Sequence, residues 1–417
     1  MFIFFARQKW HMIQDSTFEQ LISLDGLAKD EAKGYKRKRF LYQQVRDILS
    51  SSRQFVGIAG LRGTGKTVLL RQIASGLDNS FYVSADTLPV GTSLFELAEA
   101  LHKRLGSKYL MVDEIHAAPD WQSELKRAYD FLKVKIAFTS SSSIDVVGSK
   151  SDLSRRLSVL TLPPFSFREY LLFKNGTELP VLSLDKILAN HAEIYRELFG
   201  FESEFRDFCT QGALPACLES PLPSVIKGIV EKAVQRDMLS AGKLSQEDLV
   251  NVRQALLFIA RAGADGCSYS SISKNTGITK YKAQQYASLL SSASLAKIIL
   301  PYGANVMPEP KILLTPAIRA NMAEGIDEDR LKGVMREEFF VHHIIGAGLE
   351  LNYLKGARGQ KLADYIVFYK ARKLIFEIGG AGKGASQFKG VSVKEKFILS
   401  QPGSARGIPL ILFGFLW

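Results

Sequence analysis

Eight consecutive residues have the types and spacing to hold a phosphate: Gly60, Leu61, Arg62, Gly63, Thr64, Gly65, Lys66 and Thr67. They fit the pattern G-x-x-x-x-G-K-[ST] at every fixed position. Glycines at 60, 63 and 65 let the backbone curl with its N–H groups turned inward. Those groups, and the start of the helix entered through Val68, make an anion site. Lys66 brings a point charge to the β- and γ-phosphates of a nucleotide, and the Thr67 hydroxyl is a ligand for Mg²⁺. A chance glycine-rich turn would show the same letters, but the flanks agree with the motif. Residues 53–59 are mostly apolar and read as a buried strand, and residues 68–74 carry apolar side chains at helical spacing.

The second constellation is Tyr109-Leu110-Met111-Val112-Asp113-Glu114. Four apolar residues ending in two carboxylates fit a buried parallel strand that delivers them to its carboxyl edge. Asp113 would hold the metal, directly or through water, and Glu114 would act as general base toward an attacking water. A further strand at residues 134–138 ends in Thr139 and four serines, Ser140 to Ser143. A hydroxyl there, Ser140 foremost, would sense the γ-phosphate; a serine-rich surface loop is the competing reading. Arg155 and Arg156 precede another apolar run. Either would serve as an arginine finger toward a neighbouring subunit, or as an ordinary surface ion-pair partner.

The elements that must position these groups follow in order. Residues 1–50 form a lead-in segment with a basic cluster at Lys33, Lys36, Arg37, Lys38 and Arg39. That cluster is either a solvated linker or a contact for nucleotide or DNA backbone. Strand patterns at 81–85 and 159–162 and helix patterns at 93–105 and 121–131 complete an α/β core. Residues 170–250 read as helical, with amphipathic runs at 184–198 and 223–239, and form either a lid over the nucleotide or a plain connector. Residues 250–320 read as helix, helix, a turn with Gly277, and helix, then two short strands, which is a helix-turn-helix layout. In a DNA-binding version Lys280, Lys282, Gln284 and Gln285 would approach the groove.

Composition narrows the class. The chain has 417 residues, 46% hydrophobic and 23% charged, with a formal net charge of +12. That is an ordinary soluble composition whose charge favours polyanionic partners. Three cysteines, Cys209, Cys217 and Cys267, have no metal-ligand spacing and imply free thiols in a reducing compartment. The apolar N-terminal run is too short for a signal sequence, and residues 408–417 span half a membrane and read as a core strand. A cytoplasmic protein without membrane association is expected.

The run Asp113-Glu114-Ile115-His116-Ala117-Ala118-Pro119-Asp120-Trp121 resembles the Asp-Glu-Ile-His…Trp signature of a prokaryotic AAA+ ATPase family. The serine-rich end of the next strand is similar to that family's sensor position, and Pro163 to Tyr170 to its later motif. The resemblance covers most of the chain and is most specific from Gly57 to Tyr170. It implies a C-terminal region related to restriction-type nucleases. His116 would then line the site or play a structural part beside Trp121, and the structural part is favoured. In the last region a helix pattern at 331–349 and strands at 352–354, 363–369 and 373–378 resemble the PD-(D/E)xK nuclease core. Glu338, Asp364 and Glu377 match its acids. The position of its lysine is Gly379, which puts cutting in doubt, although Lys383 in the following glycine-rich loop is a candidate replacement.

These readings combine into one expectation. A P-loop NTPase (AAA+-like) parallel-sheet core at 51–168 is followed by a helical lid at 169–250. A winged helix-turn-helix at 251–324 and an α/β restriction-nuclease-like domain at 325–417 complete the chain. The function expected is a Mg²⁺-dependent ATPase that couples ATP to its C-terminal modules; the alternative is a nucleotide-switched DNA-binding regulator or defence component. ATP, double-stranded DNA and a protein are the candidate partners, and a homo-oligomer the candidate assembly.

Overall fold

The computed structural model describes residues 15–140, 153, 155–220, 223–238, 244–263, 267–303, 309–355, 363–379, 388, 393–400 and 407–417. Lys383 and Ser141 to Ser143 lie outside them. The chain divides into two compact units, Met1–Ala59 with Gly65–Leu162, and Gly60–Thr64 with Pro163–Trp417.

The first unit is built on five strands: β1 (Phe55–Ala59), β2 (Ser80–Ser84), β3 (Tyr109–Asp113), β4 (Lys135–Ser140) and β5 (Leu157–Thr161). Their order is β2-β3-β4-β1-β5, and every pairing is parallel. Strand β1 is buried along its whole length, as a sheet covered on both faces requires. Alternate residues feed two apolar clusters. Phe55, Phe81, Val83, Leu110, Val112, Ile136 and Phe138 join one. Val56, Ile58, Tyr82, Met111 and Ala137 join the other. Helices α1 (Asp15–Gly34), α2 (Leu41–Ser51), α3 (Lys66–Ser75), α4 (Leu94–Leu105) and α5 (Trp121–Phe131) complete the unit. Leu97 and Leu101 of α4 and Trp121 and Leu125 of α5 cover the first face, and Val45, Leu49, Leu69 and Ile73 of α2 and α3 cover the second. Helix α1, 20 residues long, was not foreseen. It lies in the stretch read as a lead-in, because Phe18, Leu21, Ala28 and Ala32 are the apolar positions it buries, too few to stand out as a stripe.

The second unit begins with helices α6 (Phe167–Asn175), α7 (Leu184–Leu198), α8 (Glu202–Asp207), α9 (Ala216–Glu219) and α10 (Pro223–Lys232). Next come α11 (Gln246–Arg261), α12 (Tyr269–Thr276) and α13 (Lys280–Ser292), then the antiparallel strands β6 (Ala296–Ile299) and β7 (Lys311–Leu314). The short α14 (Ile318–Met322) and the long α15 (Glu328–Gly346) lead to a mixed sheet. It contains β8 (Glu350–Tyr353), β9 (Tyr365–Tyr369), β10 (Arg372–Ile378), β11 (Glu395–Ser400) and β12 (Ile408–Pro409), in the order β12-β11-β10-β9-β8.

One large apolar cluster draws on segments from Leu61 to Leu416, and a smaller one gathers Ala363, Ile366 and Ile375 at the sheet. Phe167 sits edge-on to Phe205, Phe208, Phe339 and Phe415, drawn from widely separated segments. Close approach there needs Gly414, where a Cβ would lie 2.6 Å from Phe167 Cβ. The terminal run expected to be a core strand is instead two paired residues followed by a buried 3₁₀ helix, Leu410–Phe415. Pro409 has no N–H to continue the ladder. Among the described residues no helix is long and apolar enough to cross a membrane, and all three cysteines are free.

Candidate active site

The parallel sheet of the first unit brings the ends of β3 and β4 to the edge on which β1 enters the phosphate loop. Strand β4 lies between the other two. Asp113 is the last residue of β3 and is 3% exposed. The β3–β4 register pairs Val112 with Phe138, so the next residues, Asp113 and Thr139, are neighbours. The Thr139 hydroxyl donates to Asp113 Oδ1, and the Tyr82 hydroxyl donates to Oδ2 at 3.0 Å. Both carboxylate oxygens are thereby fixed by neutral donors.

Glu114 follows in the left-handed region, at φ 48°, where an L-residue is strained by about 1–3 kcal/mol. Its N–H donates to Thr139 Oγ1 at 3.0 Å, which holds the turn. One threonine hydroxyl therefore places both acids. His116 Nδ1 stands 3.3 Å from Glu114 Oε2, so His116 touches the base candidate, beyond the purely structural part favoured for it.

The loop before α3 has the backbone that an anion cradle needs. Gly63 and Gly65 take φ values of 78° and 86°, which L side chains avoid. Gly65 stands at the N-cap of α3, where no side chain caps the helix. Thr64 is buried and tightens the loop, its Oγ1 donating to Leu61 O at 2.7 Å. Gly63 is required a second time within its own unit. A Cβ there would lie 2.7 Å from Ile229 Cδ1, and its carbonyl accepts from Ala216 N at 3.3 Å. Lys66 is buried and opens α3, followed by Thr67 and Val68, which are half-buried. Within the first unit, an ammonium (Lys66), a hydroxyl (Thr67) and a carboxylate held by two uncharged donors (Asp113) are the group types that suit a phosphate and a divalent cation.

Ser140 is buried at the end of β4, paired with Ala59 at the same sheet edge. The remaining candidates fall elsewhere. Arg156 forms a two-pronged pair with Asp130, Nε and a terminal nitrogen at 3.0 and 3.1 Å, the surface ion pair that competed with a finger. Arg155 is exposed. In the second unit Glu338 is 2% exposed and faces Arg319, 0% exposed, whose Nε donates to it at 2.8 Å; Leu314 N donates to the same oxygen at 2.7 Å. Burial pushes the Glu338 carboxyl up against the pull of Arg319. Arg319 also donates to the carbonyls of Ile259, Ala260 and Ala262 at the end of α11. Asp364 Oδ2 accepts from Ile378 N at 2.7 Å, and Glu377 is buried. Among the described residues no group of three acids, histidines or cysteines could hold a metal; the β9–β10 register pairs Tyr365 with Phe376 and so sets Asp364 opposite Glu377, while Glu338 is engaged by Arg319. Lys280 pairs with Glu309, and Lys282 with Asp248 at 2.8 Å, so two of the expected groove contacts form ion pairs within the second unit.

Sequence reasoning placed Thr139 only within a hydroxyl-rich strand end led by Ser140, and gave Tyr82 no role. A strand alternates its faces, so of Thr139 and Ser140 only one meets Asp113, and the register decides which. Nothing in the sequence marks Tyr82 apart from other strand aromatics.

Comparison with known proteins agrees with this geometry. Residues 52–171 match the model of a family described as an AAA domain. Over 392 residues the chain is 25% identical to the uncharacterized protein MJ1637 of Methanocaldococcus jannaschii, covering 84% of this chain and 82% of that one. Among solved structures, the Orc1 protein of Aeropyrum pernix in complex with DNA is 16% identical with a TM-score of 0.29, covering 72% of this chain and 91% of that one. AMPPCP-bound DnaA of Aquifex aeolicus is also 16% identical with a TM-score of 0.26, covering 62% and 90%. Overlaps this loose carry no conclusion about function.

Proposed function

We propose that this chain binds ATP with Mg²⁺ and hydrolyses it, and that nucleotide state is passed to its C-terminal part. The observation that carries the reading is the pair Asp113 and Glu114, clamped by Thr139 at the edge where β1 runs into a loop with two left-handed glycines. In this reading Lys66 and the loop amides of residues 60–65 bind the phosphates. Thr67 and Asp113 hold Mg²⁺, which when bound neutralises phosphate charge. Glu114 takes a proton from the water that attacks the γ-phosphorus, and ADP leaves with the electron pair of the broken P–O bond. Lys66→Ala should lower ATP turnover by about 100-fold or more; an unchanged rate in purified variant protein would refute the reading.

For residues 325–417 we propose a nuclease-like fold without cutting activity. Gly379 at the lysine position and the engagement of Glu338 by Arg319 support this. Plasmid incubated with Mg²⁺ or Mn²⁺ should stay intact, and cutting lost on Asp364→Ala would overturn the proposal. For residues 251–324 we propose a winged helix used for packing or protein binding, supported by the internal pairing of Lys280 and Lys282. The net charge of +12 favours the second reading, a nucleotide-switched DNA binder. That reading requires DNA affinity that falls steeply with salt. If turnover needs a trans finger, Arg155 is the candidate, and ATPase rate per subunit should rise with protein concentration.

A further inference from the structure

Asp113 is reached from the surface of the first unit by a line of contacts. Glu31, on α1, accepts from an Arg71 terminal nitrogen at 2.6 Å. The Arg71 guanidinium lies 5.2 Å from the centre of the Tyr82 ring. Tyr82 is 5% exposed, and its hydroxyl is the donor on Asp113 Oδ2. Arg71 is on α3, the helix that Lys66 and Thr67 open, so the same helix that starts at the phosphate loop also braces the metal carboxylate from behind.

The line has a physical direction. Asp113 Oδ1 is fixed by Thr139, whose hydroxyl is also tied to Glu114 N. Without a second donor the carboxylate would turn about that one bond. Tyr82 supplies the second, its hydroxyl donating to Oδ2 at 3.0 Å. Arg71 over the ring holds the ring in place and polarises the hydroxyl. Groups in this position behind a metal ligand tune affinity for the metal while touching neither metal nor substrate.

We propose that Tyr82, braced by Arg71 and Glu31, is a positioning residue that sets the orientation of Asp113 and thereby the affinity of the site for its divalent cation. The proposal rests on the ATP reading above and deepens it. Removing the hydroxyl leaves the nucleotide cradle intact and weakens only the metal.

The test compares the full-length wild type with Tyr82→Phe in two readouts. Steady-state ATP turnover is titrated with Mg²⁺, and Mn²⁺ binding is followed by electron paramagnetic resonance with AMPPCP present. Tyr82→Phe should raise the half-saturating Mg²⁺ about 10-fold and weaken Mn²⁺ binding by the same factor, with most of the turnover returning at saturating metal. Calorimetric AMPPCP affinity in EDTA should not change, which a merely structural role would not spare. Arg71→Met should shift both metal curves in the same direction by less, and it serves as the second variant if Tyr82→Phe does not fold. Metal curves that overlay the wild type, or an equal loss of AMPPCP affinity in EDTA, would overturn the proposal. If the wild type binds no nucleotide, the ATP reading falls by itself. Mn²⁺ spectra without nucleotide then decide, and equal spectra for wild type and Tyr82→Phe sink the positioning role.

Discussion

Asp113 and Glu338 are both buried carboxylates, and they are held in opposite ways. Asp113 receives hydrogen bonds from two neutral hydroxyls, Tyr82 and Thr139. Glu338 receives a guanidinium and a backbone amide. A buried charge is tolerated when it is paired or when it awaits a cation. Asp113 is oriented by these two donors, neither of which is a cation. Glu338 has its cation already, and the pair fastens α11, α14 and α15 together. Burial alone thus does not distinguish the two acids; Glu338, in the middle of α15, already faces a cation and Asp113 does not.

The sharpest way to break that contrast is to neutralise each acid in turn. Asp113→Asn keeps a shape that both hydroxyls can still bond, so thermal stability should change by no more than about 1 kcal/mol. Turnover should fall by about 100-fold or more, since metal charge stabilisation is worth several kcal/mol. Steady-state rates beside melting curves would check both halves. The converse variant, Arg319→Met, leaves Glu338 buried and uncompensated. Chemical denaturation should show a loss of about 3–5 kcal/mol from the second unit, while ATP turnover per folded molecule is retained. A large loss of turnover with little loss of stability would reverse the assignment of the two acids.

A third buried group extends the comparison to pH. His343 accepts a hydrogen bond from Phe167 N at 3.0 Å and lies 2.8 Å by Nδ1 from the Phe339 carbonyl. It is therefore neutral in the fold, and burial holds its pKa well below the ordinary value of 6.5. Below that value the unfolded ring gains a proton that the folded ring refuses. Stability is then present above about pH 6.5 and lost as pH falls, at up to about 1.4 kcal/mol per unit. Urea midpoints at pH 7.5 and 5.5 should separate for wild type and converge for His343→Gln. The smallest effect is expected at Arg156, paired at the surface with Asp130. Arg156→Ala should change stability by no more than about 1 kcal/mol and leave turnover per subunit unchanged across protein concentrations. Loss of the concentration dependence in this variant would restore Arg156 as a finger.

Much of the first unit was legible in the sequence, because its chemistry is local. Residues 60–67 carry their own backbone requirements, and the run 109–114 announces a buried strand ending in acids. Strand positions came within one or two residues, since fully buried parallel strands read as continuous apolar runs. Helix α1 escaped because few of its positions are buried. In the second unit elements were found but their companionship was not. Local pattern placed α15, β9 and β10, yet the partner of Glu338 comes from α14, 19 residues away in sequence, in a segment with no distinguishing signal.

The sequence by itself determined the cradle for a phosphate and the kinds of groups that surround it, since backbone curvature and side-chain charge follow from residue type. Tertiary structure alone decided which hydroxyl faces Asp113 and which acid already owns a cation. It also decided that segments from Leu61 to Leu416 share one large apolar cluster. Those are facts of register and of long-range neighbours, and no residue type encodes who stands across from it.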